Sequence, residues 1–110
     1  MSIPIDLAVI GGTGVYRLPG LQWQDADPGQ TAYGMPSGPI RLAEIEGRRV
    51  AFLARHGAAH SLPPHRVDYR ANLMALRQLG ARRIVAINTV GGITGDYGPR
   101  VLAVPDQLID

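Results

Sequence analysis

The sequence predicts an α/β protein built on a mixed central β-sheet with flanking helices. Short apolar runs alternate with segments rich in Gly and Pro, one segment has helical periodicity, and most of the apolar runs are typical of buried strands. The chain has 110 residues, 45% of them hydrophobic. This length corresponds to a single domain with a modest core.

The first half of the chain predicts mainly strands. Ile5–Ile10 is an apolar run that ends abruptly at a glycine loop, as a buried strand would. Residues 17–38 have no periodicity and predict a loop, with a short strand near Trp23. Ile40–Glu46 alternates apolar and polar residues, and together with the apolar run Val50–Ala54 it predicts a hairpin.

The second half predicts a loop at His56–Arg66 and then a helix. Four large side chains follow at helical spacing, with Asp68 at the start and Gly80 at the stop: Tyr69, Leu73, Leu76 and Leu79. Ile84–Ile87 and Val101–Val104 predict two further strands, the first of them buried.

Three segments with functional potential each follow a predicted strand. They are Gly11–Gly14, Arg55–Gly57 and Asn88–Gly92. In open α/β sheets, ligands bind at the carboxyl ends of the strands. We therefore expect the three segments to meet in one crevice.

The composition narrows the class of protein. The absence of Cys excludes a disulfide framework, a thiolate nucleophile and a Cys-based zinc site. No apolar run approaches the roughly 18 residues of a membrane span, and no signal peptide is visible. We expect a cytoplasmic protein without membrane contact. All eleven basic residues are scattered Arg and aromatics make up only 5%, which argues against nucleic-acid binding.

The segment Gly11–Gly14 favours anion binding, because glycines at a strand end let successive N–H groups turn toward a ligand. A tight turn without a ligand is the alternative. A dinucleotide fingerprint fails, because Arg17 stands where the third glycine is required. A Walker loop fails because the chain has no Lys.

Arg55 and His56 follow a strand end, where a guanidinium fork and an imidazole can donate hydrogen bonds to an oxyanion. Asn88–Gly92 offers backbone donors, a hydroxyl and glycines against which a flat ligand can lie. The histidines His56, His60 and His65 fall in one short span. We expect no metal there, because the span holds no carboxylate and Pro63-Pro64 prevents helical alignment of the imidazoles.

Four segments with natural spacing extend over essentially the whole chain: Gly11–Gly14, Arg55–His60, Pro64–Asn72 and Asn88–Ile93. Together they resemble the trimeric purine nucleoside phosphorylases, and more narrowly the 5′-methylthioadenosine / S-methyl-5′-thioinosine phosphorylase branch. The resemblance implies a nucleoside phosphorylase-like fold, a homotrimer and phosphorolysis of a purine nucleoside. Phosphate would be a co-substrate, and no cofactor is implied.

The resemblance also implies roles for individual residues. Phosphate would be held by Thr13, Arg55, His56 and Thr89, and the purine ring would lie along Val90 and Gly91. Position 89 is usually Ala in the family and acts through its backbone. Position 68 is Asp where Asn is common, and we interpret this as a change at the helix start.

The family's purine-reading side chains, including the contact to N7, lie in its C-terminal half. We therefore expect residues 1–110 to be the truncated N-terminal half of a single phosphorylase-like domain, inactive by itself, with the catalytic residues beyond it. S-methyl-5′-thioinosine is the favoured substrate, with 5′-methylthioadenosine beside it. The alternatives are a general phosphorylase of inosine and guanosine, a nucleotide-binding module and a non-enzymatic interaction module.

Overall fold

The computed structural model describes residues 5–12, 20–57, 63, 66–89 and 91–107. A five-stranded sheet and one α-helix make up its regular structure. The strands are β1 (Leu7–Gly11), β2 (Gln24–Ala26), β3 (Ile40–Ile45), β4 (Arg48–Ala54) and β5 (Ile84–Ala86), and the helix is α1 (Tyr69–Gln78). A 3-10 helix covers Gly95–Tyr97.

The strand order in the sheet is β2-β3-β4-β1-β5. β1 pairs in parallel with β4 on one side and with β5 on the other, while β2, β3 and β4 pair antiparallel. The mixed sheet is therefore confirmed. Between β3 and β4, Glu46 and Gly47 both have positive φ angles, of 51° and 79°. A two-residue hairpin turn of this kind matches the twist of its strands, and the predicted hairpin is confirmed.

Helix α1 begins and ends where the sequence predicts. The carboxylate of Asp68 accepts a hydrogen bond from Ala71 N at 3.0 Å, which satisfies one of the free N–H groups of the first turn. At the other end, Gly80 has φ 103° and donates to Arg77 O, while Ala81 N donates to Leu76 O. These two bonds form a Schellman motif, which closes the last carbonyls of the helix.

The buried face of α1 does not coincide with the row of large side chains at helical spacing. Ala71, Asn72, Ala75 and Leu76 are its buried residues, whereas Tyr69 and Leu73 are about half exposed. Ala75 and Leu76 join a core cluster with residues of β1, β3 and β4. Small side chains on this face allow the helix to lie close to the alanines of the strands, which turns Leu73 outward.

The opposite face of the sheet carries a second cluster of buried residues: Val9, Ala43, Val50 and Phe52. The ring of Trp23 meets that of Phe52 edge to face, with centroids 4.8 Å apart. This contact anchors the segment before β2 against the sheet. The short strand expected near Trp23 is present, at Gln24–Ala26.

Two predictions in the last third of the chain are wrong. The strand expected at Ile84–Ile87 forms as β5, but its residues are exposed. Among the described residues, β5 lies at one edge of the sheet, and the core cluster under α1 contains none of its side chains. Val101–Val104 is not a strand in the part of the chain that the structure describes. A strand needs a neighbour for its backbone groups, and this segment joins no ladder of the sheet.

Leu76 supports the packing of α1, and its side chain is completely buried. We expect Leu76→Ala to lower the free energy of unfolding of the complete gene product by about 2–5 kcal/mol. Leu73→Ala is the matched control on the same helix, because Leu73 is 49% exposed, and its cost should be much smaller. Urea denaturation followed by circular dichroism measures both. Equal losses would contradict the packing of α1 described above.

Candidate functional site at the carboxyl edge of the sheet

The parallel strands bring three segments to one edge of the sheet. Gly11 of β1 pairs with Ala54 of β4, and Ile10 pairs with Ala86 of β5, so the three strands end almost level. Beyond the strand ends, Arg55 N donates to Gly11 O at 2.8 Å and Ile87 N donates to Ile10 O at 2.7 Å. The described starts of the three segments therefore lie side by side, and their meeting in one crevice stays a prediction.

Arg55 and His56 occupy the two central positions of a tight turn. Gly57 N donates to Ala54 O at 3.1 Å and closes the turn directly after β4. Gly57 has φ 84°, a conformation that glycine adopts without steric cost. The turn leaves both Arg55 and His56 half-buried at the carboxyl edge.

The side chain of Arg55 spans the edge from β4 to the end of β5. Its Nη2 donates to Ile87 O at 2.6 Å, immediately before Asn88 and Thr89. This bond orients the guanidinium across the end of β1, which lies between the two strands. A guanidinium has five N–H donors, and this bond uses one of them.

One hollow adjoins Arg55, and a second adjoins the segment after β5. One, of about 250 Å³, lies between α1 and the strand ends and is lined by Arg55, Asn72 and Asn88, among others. The other, of about 610 Å³, is lined by residues after β5, among them Asn88, Thr89 and Gly91. Asn88 lines both, so the edge offers room for a small ligand beside Arg55.

The predicted site residues are placed as follows. Arg55 and His56 share one turn, Thr89 is the second residue after the Ile87 carbonyl that Arg55 contacts, and Gly91 lines the larger hollow. Thr13 and Val90 lie outside the described residues. The binding roles of all six residues stay predictions.

The described residues contain no group of three or more His, Asp or Glu side chains that could hold a metal ion. His60 and His65 lie outside them. Across the same part of the chain, no helix has the length and apolarity to cross a membrane.

Two polar residues behind the turn were not singled out by the sequence. Ser37 donates from its Oγ to Ala54 O at 3.0 Å, and Asn72 accepts from Ser37 N at 2.8 Å through its Oδ1. The sequence offered only a weak signal: an Asn within the predicted helix and a Pro-Ser pair in the loop at residues 17–38.

A sequence family described as the phosphorylase superfamily matches residues 6–110, almost the whole chain. The chain belongs to the phosphorylase superfamily. The resemblance of its four ordered segments to nucleoside phosphorylases is thereby confirmed at the level of the family.

Relatives of this chain are named for different substrates. The chain is 65% identical over 109 residues to a probable S-methyl-5′-thioinosine phosphorylase of Xanthomonas campestris, covering 99% of this chain and 44% of that protein. It is 50% identical to a purine nucleoside phosphorylase of Streptomyces coelicolor, covering 99% and 38% respectively. The chain thus spans less than half the length of these relatives.

A solved structure supports the fold. A methylthioadenosine phosphorylase from an antarctic soil metagenomic library aligns with a TM-score of 0.69 and 46% sequence identity, over 76% of this chain and 29% of that one. The mixed sheet with its helix therefore matches the nucleoside phosphorylase fold.

Gly92 lies against the backbone of the 3-10 helix. A Cβ built on Gly92 would fall 1.8 Å from Tyr97 O, too close for any side chain. We expect Gly92→Ala to push the chain at position 92 away from the 3-10 helix. The N–H of Tyr97 donates to Thr94 O, and its amide exchange should become about fivefold faster for each ~1 kcal/mol of local stability that is lost. Hydrogen exchange with mass spectrometry measures this.

Gly95→Ala is the matched control, because a Cβ there meets no atom within 4 Å. Its exchange rates should stay at the wild-type level. Unchanged exchange in Gly92→Ala would refute the close approach of Gly92 to Tyr97.

Proposed function

We propose that the complete gene product is a purine nucleoside phosphorylase that cleaves S-methyl-5′-thioinosine with inorganic phosphate. The observation that carries the proposal is the position of Arg55, held at the strand ends between Gly11 and Ile87. The 65% identity to a probable S-methyl-5′-thioinosine phosphorylase supports the choice of reaction.

In this reaction, a phosphate oxygen forms a bond to C1′ of the sugar as the bond from C1′ to the purine nitrogen breaks. The bonding electrons leave with the purine, which takes up a proton, and the products are the free base and 5-methylthioribose 1-phosphate. Because phosphate is the nucleophile, the protein need not supply one. It must instead position the phosphate and stabilise charge at the transition state.

The carboxyl edge has the donors for phosphate positioning. Arg55 has a guanidinium fork, His56 is its neighbour in the same turn, and the glycines after β1 would add backbone N–H donors. Thr13 and Thr89 would add hydroxyl donors. Val90 and Gly91 would lie along the purine, beside the hollow that Gly91 lines.

We propose that the acid that assists the leaving purine lies outside residues 1–110. We further propose a cytoplasmic homotrimer that needs phosphate as co-substrate and no cofactor. These assignments follow from the family resemblance. A general purine nucleoside phosphorylase is the second candidate, favoured by the 50% identity to the Streptomyces coelicolor enzyme.

Arg55→Ala tests the phosphate role. Loss of a charge-assisted hydrogen bond costs about 1.5–3 kcal/mol, so we expect the phosphate KM to rise about tenfold to hundredfold. The nucleoside KM should change much less. Steady-state phosphorolysis at varied phosphate concentration gives both constants.

Arg48→Ala is the matched control, since Arg48 is an exposed Arg at the opposite end of β4. It should leave both KM values unchanged. An interaction module without enzymatic activity predicts no phosphorolysis by the wild-type protein or by either variant. A nucleotide-binding module predicts tight binding of NAD or ATP instead, which calorimetry would detect.

A comparison of three substrates tests specificity. We expect kcat/KM to be highest for S-methyl-5′-thioinosine, lower for 5′-methylthioadenosine and lower again for inosine. Release of the free base, followed by chromatography, ranks them. A higher value for inosine would instead assign the general purine nucleoside phosphorylase activity.

A further inference from the structure

The loop before β3 is fastened along helix α1 at three points. Near the end of the helix, Gln78 Nε2 donates to Pro28 O at 2.8 Å. Near its start, the guanidinium of Arg70 lies 5.9 Å from the centre of the Tyr33 ring. Between them, Asn72 accepts from Ser37 N. The position of residues 28–37 is thus set by α1.

Asn72 is an unusual residue for the centre of a buried helix face, because its side chain is only 1% exposed. Its Oδ1 accepts from Ser37 N at 2.8 Å, while its Nδ2 has no hydrogen-bond partner among the described residues. Burying an amide with one group unpaired is costly. The bond to Ser37 N is therefore the polar contact that offsets part of this cost.

Ser37 passes this constraint to the turn that carries Arg55. Its Oγ donates to Ala54 O at 3.0 Å, and the same oxygen accepts from Gly57 N at 3.1 Å. A carbonyl oxygen has two lone pairs, so Ala54 O can accept both bonds. The Ser37 hydroxyl is thus a side-chain donor on the carbonyl that closes the turn.

The peptide group between Ala54 and Arg55 is held at both ends. Its oxygen accepts from Ser37 Oγ and Gly57 N, and its N–H donates to Gly11 O at 2.8 Å. Because a peptide group is planar, three hydrogen bonds on its two ends fix its orientation. That orientation sets the direction in which the Arg55 side chain leaves the backbone.

We propose that Ser37, held in place by Asn72, is a positioning residue for phosphate binding by the Arg55-His56 turn. The inference rests on the proposed function, because it takes phosphate to be the ligand of this turn. Neither side chain contacts the phosphate. Ser37 acts through the Ala54–Arg55 peptide, and Asn72 acts through Ser37.

Ser37→Ala in the complete gene product removes the hydroxyl with little change in volume. Loss of one neutral hydrogen bond predicts a rise in the phosphate KM of about three- to tenfold, with the nucleoside KM within twofold of wild type. Ser37→Thr, which keeps the hydroxyl, should restore the phosphate KM. A role in folding alone would lower the melting temperature and the active fraction but leave the phosphate KM unchanged.

Thr31→Val is the matched control in the same loop. Thr31 Oγ1 donates to Gly34 O at 2.6 Å, so this variant also deletes a hydroxyl-to-carbonyl bond, but one that stays within the loop. Its phosphate KM should equal that of wild type. A rise equal to that of Ser37→Ala would overturn the proposal, because any loosening of the loop would then suffice.

Asn72→Ala, alone and combined with Ser37→Ala, tests whether Asn72 acts through Ser37. If Asn72 acts through Ser37, the double variant should raise the phosphate KM no more than the worse of the two single variants. Additive effects would overturn the action of Asn72 through Ser37.

The outcomes separate this inference from the proposed function. A raised phosphate KM in Arg55→Ala with wild-type behaviour in Ser37→Ala refutes the positioning role alone. A wild-type protein without phosphate-dependent turnover refutes both.

Discussion

The parallel pairing of β1 with β4 and β5 is the constraint on which the rest of the structure depends. Its register makes Gly11, Ala54 and Ala86 end at one edge, so the segments that follow must start beside one another. β1 has buried residues on both faces, with Ala8 and Ile10 toward α1 and Val9 toward the opposite cluster. A one-residue slip of β1 would exchange these faces, so the same packing that stabilises the fold also aligns the site.

Arg55 converts this alignment into a functional arrangement. Its backbone N–H bonds to β1 and its side chain bonds to the carbonyl after β5, so one residue contacts the ends of both neighbouring segments. The turn starts at Ala54, the last paired residue of β4, and its other three residues lie beyond the paired register of the strands. Its geometry therefore depends on contacts from elsewhere in the chain, among them the hydroxyl of Ser37.

Sequence patterns predicted those features that have local causes. The ends of α1 follow from Asp68 and Gly80, and the hairpin follows from alternating residues around a glycine. The buried face of α1 could not be predicted in this way, because Leu73 is more apolar than Asn72 and only packing against the sheet reverses their exposure. Val101–Val104 is apolar like a strand, but an apolar run does not specify a pairing partner.

In the candidate site, too, some residues have local sequence signals and others are placed only by long-range contacts. Arg55 and His56 were predictable because they directly follow an apolar strand. Ser37 was not, because its two partners are 17 and 35 residues away in the chain, and no local pattern encodes such distances. Tertiary contacts alone bring Ser37 behind the turn.

Holding Arg55 in advance has an energetic consequence for ligand binding. A free Arg side chain loses about 2 kcal/mol of rotamer entropy when it is fixed on a ligand. Here the bond to Ile87 O and the fixed Ala54–Arg55 peptide impose much of that order during folding. Less ordering then remains to oppose phosphate binding. A Lys has no planar fork, so it could not bond the Ile87 carbonyl and still present a bidentate pair of donors to phosphate. The geometry at this position therefore specifically suits arginine.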